Sequence, residues 1–177
     1  ILLCLVFAVL MTRKITWINI ALLSTVVADG FLVAPPSPIQ VPGMTFFAIT
    51  SMCYFIFLVL KEDPKTQKIH FIARVAIIVI ALAITPIVLK EKTDYLSMIS
   101  VFYFANLILN IVFSFFTFKS NKLLSIGLVL FILCDLFIGF AFLGDYLPIK
   151  EGGLIYSLIN ASIDLSWLFY LPSQVFP

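Results

Sequence analysis

Seven apolar runs, at residues 1–11, 15–34, 41–60, 69–89, 95–118, 122–143 and 154–176, make up most of this chain. All but the first are long enough to cross a bilayer as one helix, which takes about 20 residues at ~1.5 Å each. Within the hydrocarbon core every backbone amide must find its partner inside the protein, so only helices and closed barrels can span it. The runs show no strand-like alternation with turn signals at barrel spacing, which leaves helices. At 63% hydrophobic and 11% charged residues, the chain lies far from the roughly half apolar, one-quarter charged make-up of a soluble domain. The expected fold is all-α: a polytopic membrane protein, one domain over residues 1–177, with a bundle of about seven transmembrane helices. The short first run reads as the remainder of a longer helix.

The charges lie between the runs and read as topology signals. Arg13 and Lys14, then Lys61, Lys65, Lys68 and Arg74, then Lys119 and Lys122 fall on every second connector, with the uncharged Pro35-Pro36-Ser37-Pro38 and the mixed Lys90-Glu91-Lys92-Asp94 between them. By the positive-inside rule the three basic connectors face the cytoplasm, so the N-terminus is expected outside and the C-terminus inside. A net charge of +2 spread over such small clusters gives no nucleic-acid surface. Cys4, Cys53 and Cys134 all sit in apolar runs without ligand spacing, so they are expected to be packing residues, with neither metal nor cofactor implied.

Against this background the polar residues inside the runs stand out. Tyr103, Asn106, Asn110 and Ser114 recur at helical spacing and define one inward face; Tyr156, Asn160, Asp164, Trp167 and Gln174 define another. Asp29 and Asp135 each lie about 13 or 14 residues from the cytoplasmic start of their runs, roughly 20 Å deep. Asp164 enters from the other side to about 15 Å. A carboxylate at mid-membrane costs about 2.5–3.5 kcal/mol, and no basic residue is expected in these helix centres. Desolvation and mutual repulsion then favour one proton shared by the acids. One protonated and one ionised carboxyl is the pairing that general acid/base hydrolysis uses.

Other chemistries lack their residues. His70, the single histidine, is expected at the cytoplasmic rim, so a serine–histidine dyad or a multi-histidine zinc site is excluded. The last run has no lysine for a retinal Schiff base. No Gly-x-Ser-x-Gly elbow, phosphate loop or Gly-x-Gly-Asp motif is present; Leu143-Gly144-Asp145 lacks the first glycine.

Ala28-Asp29 in an early run and Cys134-Asp135 in a late one, with Gly43, Phe46, Ala48, Ser51 and Tyr54 between them and Phe169-Tyr170-Leu171-Pro172-Ser173-Gln174 after them, resemble the motifs of the YhhN-like lysoplasmalogenase family. The resemblance spans most of residues 22–176. Ser51 stands where the family carries histidine, Cys134 where it carries serine, and the stretch from Asp135 to Gln174 is longer than the family's. The resemblance implies a membrane hydrolase that takes a lysolipid substrate and cleaves the vinyl ether of lysoplasmalogen. Asp135 would protonate the vinyl carbon and Asp29 steer water, with the order open. Asn106, Asn110, Tyr103 and Tyr156 would orient water and the headgroup, and Asp164, Asn160, Ser51, Tyr54 and Gln174 would complete the polar core. A proton-coupled transporter or permease is the alternative, because intramembrane Asp and Asn residues also build solute paths. A non-catalytic scaffold is the third reading.

Overall fold

The computed structural model describes residues 16–116, 122–146, 153, 156 and 165–175. Six α-helices run through them: α1 (Trp17–Leu32), α2 (Gln40–Val59), α3 (Pro64–Leu89), α4 (Tyr95–Phe116), α5 (Lys122–Tyr146) and α6 (Leu165–Val175). There is no strand among the described residues. Stretches within α2 to α5 are long and apolar enough to cross a membrane, and α1 is a shorter apolar helix of 16 residues. The chain is an all-α polytopic membrane protein. The run at 1–11 lies outside the described residues.

Local chemistry sets the helix ends. The Thr16 hydroxyl accepts the Asn19 amide at 3.3 Å and starts α1, an N-cap. Asp63 accepts the amides of Lys65 and Thr66, both at 3.1 Å, and Pro64 follows it at the first helical position, where a missing N–H costs nothing. Helix α3 therefore begins five residues before the apolar run expected at 69–89; the cap outweighs the polarity of Lys65 and Lys68. Asp94 and Ser97 cap α4 reciprocally, the Ser97 amide on Asp94 Oδ1 at 2.7 Å and the Asp94 amide on Ser97 Oγ at 3.0 Å.

The chain forms two compact units, residues 1–121 and 122–177. In the first, α1 and α2 pack closely through small residues. Ala21, Thr25 and Thr50 are wholly buried, Thr50 donates to the Ala21 carbonyl at 3.2 Å, and the two threonine hydroxyls meet at 3.2 Å. Without a hydrophobic drive between helices in lipid, close backbone approach of this kind is what joins them. Gly43 marks the tightest point: a Cβ there would stand 2.5 Å from Leu32 Cγ. Gly43→Ala is expected to lower unfolding stability by about 1–3 kcal/mol, read from denaturation in detergent; an unchanged midpoint would refute the close-packing argument.

Helix α4 lies against both α2 and α3. Helix α3 exposes nearly all of its aliphatic residues, including Ile69, Ile72, Val75, Val79, Ile80, Ile84 and Ile87, as a lipid-facing helix does, and buries only His70, Arg74 and Thr85. In the second unit α5 packs against α6 along a stripe of Leu124, Leu128, Phe131 and Cys134. Phe131 meets Tyr170 at 6.1 Å and Phe137 stacks on Phe169 at 5.7 Å.

Candidate functional site

The first unit is built around a cation. Arg74 sits ten residues beyond Pro64, about 15 Å along α3, and is 2% exposed. Its Nη1 donates to Asn106 Oδ1 at 2.7 Å and to the Asn106 carbonyl at 3.4 Å; its Nη2 donates to Asn110 Oδ1 at 2.8 Å. The guanidinium carbon lies 4.0 Å from the centre of the Phe55 ring and 5.6 Å from that of Phe113, a cation–π sandwich. Each amide is oriented by its own nitrogen: Asn106 Nδ2 donates to the Phe102 carbonyl at 2.9 Å, and Asn110 Nδ2 to the Ser51 carbonyl at 2.7 Å. One side chain on α3 is thus tied to α4, and through Asn110 to α2.

Arg74, grouped by sequence with the basic connector, lies inside α3 and is held by neutral acceptors. Asn106 and Asn110, expected to orient water and the headgroup, direct their side-chain oxygens to Arg74. Their spacing of four residues matches two points on one guanidinium, and the sequence signal was the i, i+4 pair His70 and Arg74 on α3 facing the i, i+4 pair on α4.

One turn from Arg74, His70 is buried too, not exposed at a rim. Its ring stacks on Phe113 at 4.0 Å between centroids, and Nδ1 lies 2.5 Å from Glu62 Oε2. Burial pushes the Glu62 carboxyl up from its ordinary value, and the His70 contact opposes this only in part. A carboxyl whose folded pKa is raised binds its proton more tightly in the native state. Its contribution to stability is therefore full below the ordinary glutamate pKa and is lost as pH rises through the folded one. Native stability is expected to fall as pH climbs from about 4.5, and Glu62→Gln to flatten that slope in detergent melting curves. A slope as steep in the variant would assign the effect elsewhere.

The acids occupy different settings. Asp29 is half-buried, twelve residues beyond Trp17 but only three before Leu32, so it stands about 4.5 Å along the axis from the helix end. Helix α1 stops at Leu32, where the Val33 amide closes on the Asp29 carbonyl at 2.8 Å. Asp135, in the second unit, is half-buried near the middle of α5, thirteen residues beyond Lys122 and eleven before Tyr146, between Phe131 and Phe137.

Of the remaining expected residues, Ser51 is buried and turns its hydroxyl back to the Ala48 carbonyl at 2.8 Å, so it serves Asn110 through its backbone. Tyr54 is buried, and its hydroxyl has no hydrogen-bond partner among the described residues. Tyr103 is buried and stacks on Phe47 at 5.7 Å. Gln174 is buried on α6 and donates to Ser173 Oγ at 3.0 Å. Tyr156 is 41% exposed; Asp164 and Asn160 lie outside the described residues. Cys53 and Cys134 are buried. Among the described residues no three metal-ligating side chains gather into a site.

A sequence model of the YhhN family matches residues 1–157. The chain belongs to the YhhN family. The match covers both Asp motifs and the whole Arg74 cluster, while α6 and Gln174 lie beyond it. Curated proteins and solved structures give no match. Ala28-Asp29 and Ser51 to Tyr54 fall in the first unit and Cys134-Asp135 in the second.

Proposed function

We propose that this YhhN-family protein is an integral membrane hydrolase of lysolipids that cleaves the vinyl ether of lysoplasmalogen, with Asp29 and Asp135 as its acid–base pair. The observation that carries the reading is a half-buried carboxylate at each of the two family motif positions of a membrane-spanning chain. Burying such groups is costly, and half-burial keeps them within reach of a substrate. The reaction needs what carboxyls and water supply. A protonated acid, assigned to Asp135, gives its proton to the vinyl carbon remote from oxygen, leaving an oxocarbenium-like carbon. Asp29 takes a proton from the water that attacks this carbon. The hemiacetal formed collapses to a fatty aldehyde and the free glycerol hydroxyl, for a net addition of one water. The same reading directs Lys61, Lys65 and Lys68 to the cytoplasm, with the N-terminus outside and the C-terminus inside.

The test is incubation of purified protein with lysoplasmalogen and with ester lysolipids, measuring aldehyde and fatty-acid release, beside Asp29→Asn and Asp135→Asn. Aldehyde release that both variants abolish is the expected result. No lipid turnover, with solute flux into proteoliposomes, would replace the reading with transport.

A further inference from the structure

The outer face of α3 carries a pattern of its own. At 3.6 residues per turn Lys65 stands about 180° around the helix from Arg74, so the exposed lysine and the buried arginine look in opposite directions. Lys68, three residues on, is exposed as well, and Ile69, Ile72, Ala76 and Val79 continue the same face, all four exposed. Residues 69–79 cover about 15 Å of helix, half of the ~30 Å hydrocarbon core and so the depth of one leaflet. Ala76, the smallest side chain of the strip, leaves a dip between Ile72 and Val79. Two ammonium groups thus crown one leaflet's length of apolar surface.

The charge of these two lysines is not spent within the protein. Among the described residues neither is in an ion pair. The carboxylates nearest in sequence are turned elsewhere: Glu62 meets the buried His70, and Asp63 accepts the Lys65 and Thr66 amides and the Thr66 hydroxyl as the cap of α3. Lys61 lies over the Phe57 ring at 4.0 Å. Beyond the other end of α3 the charges are mixed, Lys90-Glu91-Lys92 and then Asp94. Positive charge in excess therefore marks one end of this lipid-facing helix, and each exposed lysine at a membrane surface favours anionic lipid by about fivefold.

We propose that Lys65 and Lys68, with the apolar strip at residues 69–79, form a binding site on α3 for an anionic diacyl phospholipid of the surrounding leaflet. Its phosphate lies between the two ammonium groups, and one acyl chain follows the strip across Ala76. A zwitterionic headgroup brings its own cation and gains less from the lysines. The site is on the side of α3 away from His70 and Arg74, and it stands apart from the hydrolase reading, because the lipid is held there and not cleaved.

Native mass spectrometry of the protein from micelles holding equal amounts of phosphatidylglycerol and phosphatidylcholine supplies the test. The first bound lipid is expected to be phosphatidylglycerol by about tenfold or more. Lys65→Gln with Lys68→Gln is expected to bring that ratio near one. Lys90→Gln with Lys92→Gln removes the same charge beyond the other end of α3 and is expected to keep it. All four side chains are exposed, so both variants should melt with the wild type. No preference in the wild type overturns the proposal. So does an equal loss in the Lys90 and Lys92 variant, which would make the preference a matter of net charge. Phosphatidylglycerol carrying a photoreactive group on its acyl chain locates the site without any substitution: crosslinks within residues 69–79 are expected, and labelling confined to other helices overturns the assignment to α3.

Discussion

Asp135→Asn is expected to reduce aldehyde release from lysoplasmalogen by about 10²–10⁴-fold, the usual contribution of a positioned general acid, while the protein stays folded. Asparagine keeps the volume and hydrogen-bonding span of the side chain and removes only the proton it can give. A vinyl ether is a weak base at carbon, so the loss falls on the protonation step and lowers kcat more than it raises KM. Asp29→Asn is expected to cost a similar factor by removing the acceptor that activates water. The two act on one reaction coordinate, so the double variant should be little slower than the worse single one. Stability should not suffer. Asp135 lies near the centre of α5, and a neutral amide of the same size takes the place of its protonated carboxyl without adding charge to the helix. The measurements are single-turnover aldehyde release and melting of the same preparations. Full activity in either single variant would remove the acid pair from the mechanism.

The helices were legible because lipid imposes a simple rule: about 20 apolar residues per crossing, interrupted by charge. Sequence placed Asn106 and Asn110 on one buried face through their spacing alone, and both are wholly buried. It misassigned what they meet. Arg74 follows Lys61, Lys65 and Lys68 closely enough to read as the end of a basic connector, and only the Asp63-Pro64 cap shows that the helix has already begun by then. From that start Arg74 lies three turns in, on the side opposite Ile72 and Val75, which are exposed. Hydropathy averages cannot see this, because one arginine among aliphatic residues barely changes a window. Periodicity can, since His70 and Arg74 repeat at the spacing of Asn106 and Asn110. The apolar run to residue 34 likewise hid a helix that ends at Leu32, three residues past Asp29.

The Arg74 cluster yields a stability order set by the buried charge more than by the number of hydrogen bonds. Replacing both amides, as Asn106→Leu with Asn110→Leu, is expected to cost about 3–5 kcal/mol, the range for stranding a buried charge. Arg74→Met deletes three hydrogen bonds against four in the double variant, and should cost less, about 1–3 kcal/mol, because what remains are amide oxygens rather than an ion. Neutral interhelical hydrogen bonds in membranes average well under that, near 0.6 kcal/mol, so the difference measures the charge itself. Adding Arg74→Met to the double leucine variant should then recover stability, since no ion is left to solvate and leucine and methionine can pack against Phe55 and Phe113. The Ser51 carbonyl keeps its helical partner but loses the second bond that Asn110 gives it, which keeps the recovery partial. Denaturation in mild detergent at fixed pH would give all three values, with the coupling taken from the cycle. A triple variant less stable than the double would mean that Arg74 finds water or another partner when its amides are gone, and that the charge is not desolvated in the native unit.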